Sequence, residues 1–280
     1  MAHTTLVSTA ELAAHLDDPT WVVFDCRHDL AKPESGALEY AKAHIPGARF
    51  MHLDRDLAGA PTGKNGRHAL PEPQAFMRKL GAAGVAANSQ VVAYDAKIGV
   101  YASRLWWMLR WLGYENVAVL DGGYAKWINE GRSVTDAVTQ PAPARFDGQA
   151  RAMSVDADDV LRSIGRPGRM LIDARSPDRY RGENETLDPV GGRIPGSLNR
   201  FYRDNLDAGG CFKPAAELHE VFSALLGDTA PDAVVHSCGS GVSACHNLLA
   251  MEIAGLPGSR LYPGSWSEWC SDARRPMEKG

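Results

Sequence analysis

The sequence predicts an α/β architecture made twice over: two tandem domains, each a mainly parallel sheet flanked by helices. Three observations lead there. The first is internal repetition. "WVVFDCR" (21–27) resembles "MLIDARS" (170–176), and "AHIPGARF" (43–50) resembles "GRIPGSLN" (192–199). "QVVAYDAKIGVYASRLWWMLRWLG" (90–113) resembles "AVVHSCGSGVSACHNLLAMEIAG" (233–255), and "VLDGGYAKW" (119–127) resembles "LYPGSWSEW" (261–269). The four blocks keep their order, and partners stay 142 to 149 residues apart, which chance similarity does not do. The second is the alternation, within each copy, of short Val/Ile-rich runs with helical stretches. The third is composition: 280 residues, 44% hydrophobic and 23% charged, suit a globular chain long enough for two small domains.

Taken in order, "STAELAAHL" reads as a capped first helix, with Ser8 or Thr9 at the cap and Glu11 in the first turn. "WVVFD", "PQAFMRKLGAAGV", "QVVAYD", "ASRLWWMLRWLG" and "VAVLDGG" then alternate strand and helix. Apolar runs that tolerate burial on both faces and alternate with helices belong to parallel sheets. The first domain is expected over residues 5–132 and the second over 154–278. Between them, 133–153 is rich in Pro, Ala and Thr without periodicity and reads as a surface linker.

The formal net charge of −4 gives no basic footprint for nucleic acid or an anionic membrane. No apolar run approaches the roughly 20 residues of a membrane span. The first residues lack a basic segment followed by an apolar core, so no secretory signal is expected. Cysteines at 26, 211, 238, 245 and 270 are sparse and odd in number, which argues against a disulfide framework and for a reducing, cytoplasmic setting.

Cys238 stands apart from the others. In parallel sheets ligands bind beyond the carboxyl ends of strands, and Cys238 lies at such an end, in a turn that opens a helix. Helix N–H groups and the helix dipole favour a negative sulfur there. Gly239 and Gly241 let the loop curl its N–H groups inward as an anion nest. Most cysteines only pack, and that reading suffices for Cys26, Cys211 and Cys270. Three other readings of the loop meet objections. "GSGVSA" fits a dinucleotide fingerprint, but the following strand ends in Tyr262 and Pro263 rather than an acid. A cysteine phosphatase needs arginine six positions after its nucleophile, where Ala244 stands. Cys238, Cys245 and His246 match no usual zinc spacing, and a Cys238–Cys245 redox pair has little else to support it.

With these motifs assembled, nearly the whole chain resembles the tandem rhodanese-domain sulfurtransferases. The resemblance rests on "AHIPGA" and its partner "GRIPGS", on the "DGGYAKW" and "PGSWSEW" blocks, and on the loop after the second-copy strand. It implies two rhodanese-like domains, the first catalytically silent, with Asp95 where the second has its nucleophile. The loop "CGSGVSA" differs by Ser243 from the C-G-S-G-V-T-A of 3-mercaptopyruvate sulfurtransferases, whereas thiosulfate-preferring members typically carry C-R-K-G-V-T-A. The resemblance therefore implies 3-mercaptopyruvate as sulfur donor, with thiosulfate:cyanide sulfurtransfer and a non-catalytic persulfide carrier as alternatives.

Carried over residue by residue, the resemblance makes Cys238 the nucleophile. "DARSPDRYRG" places the donor's carboxylate on Arg179, a role that suits a planar bidentate fork. "ARFMHLD" and "GRHALP" supply Asp54 and His68, which with Ser240 would move protons around the sulfur. Gly239, Gly241, Val242 and Ser243 complete the loop around the bound donor. Two departures stand out. "ENETLDPVGG" supplies no second substrate arginine, and Arg193 stands where histidine is common, either replacing that arginine or simply solvated. The expected cycle forms a Cys238 persulfide, releases pyruvate and hands the sulfur to a thiol, cyanide or a thioredoxin-like protein, without metal or organic cofactor. The site is expected between the domains, because Asp54 and His68 come from one copy and Cys238 from the other.

Overall fold

The computed structural model describes residues 2–280, and they form two compact units. The first holds residues up to 59, 71–151 and 208–212, and the second holds 60–70, 152–207 and 213–280. Two short segments are thus exchanged relative to chain order. The loop 60–70, inside the first copy of the sequence, packs with the second unit.

The first unit contains strands β1 (Leu6–Val7), β2 (Trp21–Asp25), β3 (Arg49–Phe50), β4 (Gln90–Tyr94) and β5 (Val117–Leu120). Its helices are α1 (Thr9–Ala14), α2 (Ser35–Lys42), α3 (Leu53–Asp56), α4 (Pro73–Ala82), α5 (Val100–Trp111) and α6 (Gly123–Asn129). All pairings are parallel, in the order β1-β5-β4-β2-β3. Every residue of β4 and β5 is buried, as expected of a central strand covered by helices on both faces. The Ser8 hydroxyl caps α1 by accepting from the Glu11 N–H.

The second unit repeats the plan with β6 (Met170–Asp173), β7 (Leu198–Asn199), β8 (Val234–Ser237) and β9 (Arg260–Leu261), in the parallel order β7-β6-β8-β9. Its helices are α7 (Ala157–Ser163), α8 (Pro177–Arg181), α9 (Ala215–Leu226), α10 (Ser243–Ile253) and α11 (Ser265–Trp269). A parallel bridge between Ser154 and Leu261 stands where the first unit has β1 beside β5.

The repetition reaches individual side chains. Arg27 grips Asp25 and donates to the Ala43 carbonyl at 2.7 Å, and Arg175 grips Asp173 and donates to Gly192 at the same distance. Arg27 lies over the Tyr124 ring and Arg175 over Trp266. Both pairs are buried, and burying a charge is tolerable only when partnered in this way. Each pair ties the end of a central strand to the Ile-Pro-Gly turn beside it.

Candidate active site

The strand β8 ends at Ser237, and Cys238 begins the turn into α10. The thiol is buried, 2% exposed, and its Sγ accepts the N–H of Gly241 at 3.2 Å. Gly241 has φ +75°, and a β-carbon there would fall 2.4 Å from the Pro263 carbonyl oxygen. Only glycine meets both conditions, and so the curl that aims its N–H at the sulfur depends on it. From below, the Cys238 N–H donates to Ser265 Oγ at 3.0 Å, and that hydroxyl donates to the Tyr262 carbonyl at 2.8 Å. Ser265 has φ +52°, a left-handed conformation that side chains other than glycine's rarely take. Its counterpart in the first copy is Gly123, with φ +57°. Serine accepts the strain there and gains the hydroxyl that fixes the backbone of Cys238.

The first unit carries an internal reference for what this turn holds. Asp95, at the position of Cys238, is 2% exposed. Its carboxylate accepts N–H groups of Lys97, Gly99, Tyr101 and Ala102 at 2.8–3.5 Å. Burial pushes its carboxyl up, and the N–H donors work against that rise. The repeated turn is an anion cradle, filled by a fixed carboxylate in one copy and by a thiol in the other.

Around Cys238 the second unit gathers the other candidates. Ser240 and His68 are both buried, with His68 Nδ1 2.7 Å from Ser240 Oγ. His68 reaches it because the loop 60–70 packs on the turn before α11. There the Arg67 N–H donates to Ser267 Oγ, and a β-carbon on Gly66 would lie 2.7 Å from the Gly264 carbonyl oxygen. Arg179, at the middle of α8, makes a bidentate pair with the buried Glu185 at 2.8 Å. Burial opposes the charge on Glu185, yet the N–H of Leu187 and the Arg179 guanidinium hold its carboxyl below the usual range. For Asp188 burial prevails, and its carboxyl is pushed up despite Arg67 and Arg179 beside it. Arg175 touches Glu185 at 3.5 Å, and although burial opposes its charge, Asp173, Glu185 and the Cys238 sulfur together raise its pKa.

Gly239, Val242 and Ser243 lie in the cradle itself, Val242 as the N-cap of α10 and Ser243 as its first residue. Arg193 does not stand free in solvent. Its Nη1 donates to the Gly280 carbonyl, Glu278 lies 3.5 Å away, and the guanidinium sits over Tyr180. Asp54 belongs to the first unit, on α3, where its N–H donates to His52 Nδ1 at 3.1 Å and its side chain is 41% exposed.

Sequence reasoning missed Arg67, Ser265, Glu185 and Asp188. Ser265 had a readable signal, a serine replacing glycine in a repeated turn. The two acids lie in "ENETLDPVGG", where nothing in the letters marks them as the partners of arginines elsewhere in the chain.

Residues 8–130 and 156–272 match the rhodanese-like domain family. The chain belongs to the rhodanese family. The tandem rhodanese is 46% identical over 284 residues to a probable 3-mercaptopyruvate sulfurtransferase of Pseudomonas aeruginosa, covering 100% of both chains. It is 35% identical over 240 residues to a thiosulfate sulfurtransferase of Bos taurus, covering 82% of this chain and 78% of the other. Among solved structures, a 3-mercaptopyruvate sulfurtransferase from Leishmania major superposes with a TM-score of 0.85 at 28% identity, over 98% of this chain and 76% of that one. Among the described residues of this rhodanese, no helix is long and apolar enough to cross a membrane.

Proposed function

We propose that the protein is a sulfurtransferase that takes sulfur from 3-mercaptopyruvate onto Cys238 and passes it to a thiol or cyanide. One observation carries the reading: a buried thiol in an N–H-lined turn, with the His68–Ser240 pair and the Arg179 guanidinium in the same unit. The naming of the Pseudomonas aeruginosa and Leishmania major proteins supports the choice of donor.

In the first half-reaction the Cys238 thiolate attacks the donor's sulfur. An S–S bond forms, the C–S bond breaks, and its electron pair leaves on pyruvate as the enolate. A proton then reaches the enolate carbon, and the buried Ser240–His68 pair is the proton-handling couple. The resemblance adds Asp54 of the first unit to that set. The persulfide's outer sulfur rests among loop N–H groups from Gly239 to Ser243, as an oxyanion rests in its hole. In the second half-reaction an acceptor thiolate, cyanide or a reduced thioredoxin-like protein attacks that sulfur and restores the thiolate. The chemistry calls for no metal or organic cofactor. Among the described residues no disulfide joins any of the cysteines, which supports a reducing, cytoplasmic setting.

Incubation with 3-mercaptopyruvate should add one sulfur to the protein's mass and release pyruvate, and Cys238→Ser should abolish both. A wild-type protein that gains no sulfur and makes no pyruvate defeats the proposal. Thiosulfate as donor is the second reading, favoured by the arginines beside the loop, and the ratio of kcat/KM values for the two donors decides between them.

A further inference from the structure

The first unit carries a pair of histidines that sulfur transfer leaves unused. In parallel sheets ligands gather beyond the carboxyl ends of the strands, and there His28 follows β2 while His52 follows β3. Asp54 stands two residues further on in the same unit. One potential ligand atom from each of the three lies within 4.8 Å of the other two. The two imidazoles meet edge to face, with ring centres 5.3 Å apart, and His52 is 2% exposed. Among the described residues, neither ring nitrogen of His28 nor Nε2 of His52 has a hydrogen-bond partner, although all three atoms are buried. Buried polar atoms are nearly always partnered, so three orphaned nitrogens in one place call for an explanation. The repeat sharpens the point by contrast. At the matching positions of the second copy stand Ser176, Phe201 and Arg203, so the shared frame does not need these side chains.

We propose that His28, His52 and Asp54 bind a divalent transition-metal ion, with zinc the best match, as a structural site of the first unit. Two imidazoles and a carboxylate are ligands that zinc takes at about 2.0–2.1 Å, with the fourth tetrahedral position left to water. His52 already holds the tautomer this requires. Its Nδ1 accepts the Asp54 N–H, so the neutral ring carries its proton on Nε2. The Nδ1 lone pair lies 4.0 Å from Asp54 Oδ2, and Nε2 lies 3.6 Å from Glu34 Oε1. An ion on Nδ1 takes that lone pair from an N–H in the first turn of α3 and leaves the Nε2 proton facing Glu34. A carboxylate behind a ligating imidazole is the common arrangement, and Arg55 holds this one in place at 2.8 Å. The Asp54 side chain is 41% exposed, so a small rotation closes it on the ion. Binding through Oδ2 leaves its other oxygen to proton handling, and no step of sulfur transfer passes through the metal. The ion ties the segment after β2 to the start of α3.

The test uses the full chain carrying Cys238→Ser, so that the thiol of the candidate site cannot compete for metal. Titration with zinc, followed by calorimetry, should give a single ion per chain. Cobalt in place of zinc should give visible d–d bands without a sulfur-to-cobalt charge-transfer band. His28→Phe, added to that background, keeps an aromatic ring in the packing but no ligand atom. It should weaken zinc binding by on the order of 100-fold. His52→Asn removes the second imidazole while keeping a side chain that caps α3, and should weaken binding as much. Zinc should also raise the melting temperature of the background chain and leave that of the His28→Phe chain where it was. None of these readouts depends on sulfur transfer. A background chain that binds no zinc, a thiolate band in the cobalt spectrum, or zinc affinity unchanged by His28→Phe overturns the assignment. If His28→Phe fails to fold, His52→Asn decides alone.

Discussion

The sulfur of Cys238 accepts the Gly241 N–H while the residue's own N–H is fixed by Ser265, so atoms on both sides determine where the thiol points. Removing the Ser265 hydroxyl leaves a buried N–H without a partner, a loss of about 1–3 kcal/mol. Ser265→Ala is therefore expected to lower the melting temperature and to slow persulfide formation, whereas Ser265→Gly relieves the strained φ and should restore part of the stability. Differential scanning calorimetry on the two variants tests the order. Ser240→Ala breaks the 2.7 Å contact with His68 and should reduce the rate of pyruvate release by on the order of 100-fold while leaving the fold intact, as measured by single-turnover kinetics.

The strand β8 delivers Cys238, and its own burial makes the delivery sensitive to pH. His236 on that strand is fully buried, and burial lowers its pKa to about 3. Unfolded, the same imidazole titrates near 6.5. Between those values the unfolded chain binds a proton that the folded one does not, so stability is complete above about pH 6.5 and falls as the pH drops toward 3. The contribution is about 1.4 kcal/mol per pH unit in that window. Urea midpoints taken from pH 7 to pH 5 should decline, and His236→Leu should decline less steeply. The turn after β8 gives a second test. Gly241→Ala must adopt φ +75° with its methyl against the Pro263 carbonyl, and persulfide capacity should vanish while far-ultraviolet circular dichroism stays near that of wild type. The sheets and their parallel order were legible in the sequence, because runs such as "QVVAYD" sit between helical stretches and occur twice. The packing of 60–70 was not. "APTGKNGRHAL" has no periodicity, and nothing in its letters names the partners at Gly264 and Ser267. Arg67 was hidden with it, since a lone arginine in a polar loop reads as a surface charge. Cys238 was legible because a strand end, two glycines and a helix start coincide there.

The molecule divides one inherited turn between two duties. In the first unit the Asp95 carboxylate fills the cradle and accepts four N–H groups, and on the proposed function it belongs to the frame rather than to the chemistry. Asp95→Asn sets an amide donor against those donors, so it should lower the melting temperature, by a cost of about 1–3 kcal/mol, with kcat/KM for sulfur transfer nearly unchanged. A thermal melt paired with a pyruvate assay checks both halves of that statement. The two units also differ in what their sequence contains. The second copy alone, from residue 154 onward, includes Cys238, Ser240 and Arg179 but neither His68 nor Arg67, which are written inside the first copy and fold with the second unit. Gene duplication usually leaves a spare that drift can erase. On the proposed function the spare could not be erased here, because a deletion that discards the first copy also discards the loop 60–70 that folds with the second unit. Recombination that shuffles single domains between proteins would likewise yield an incomplete second domain, and the tandem has to be inherited whole.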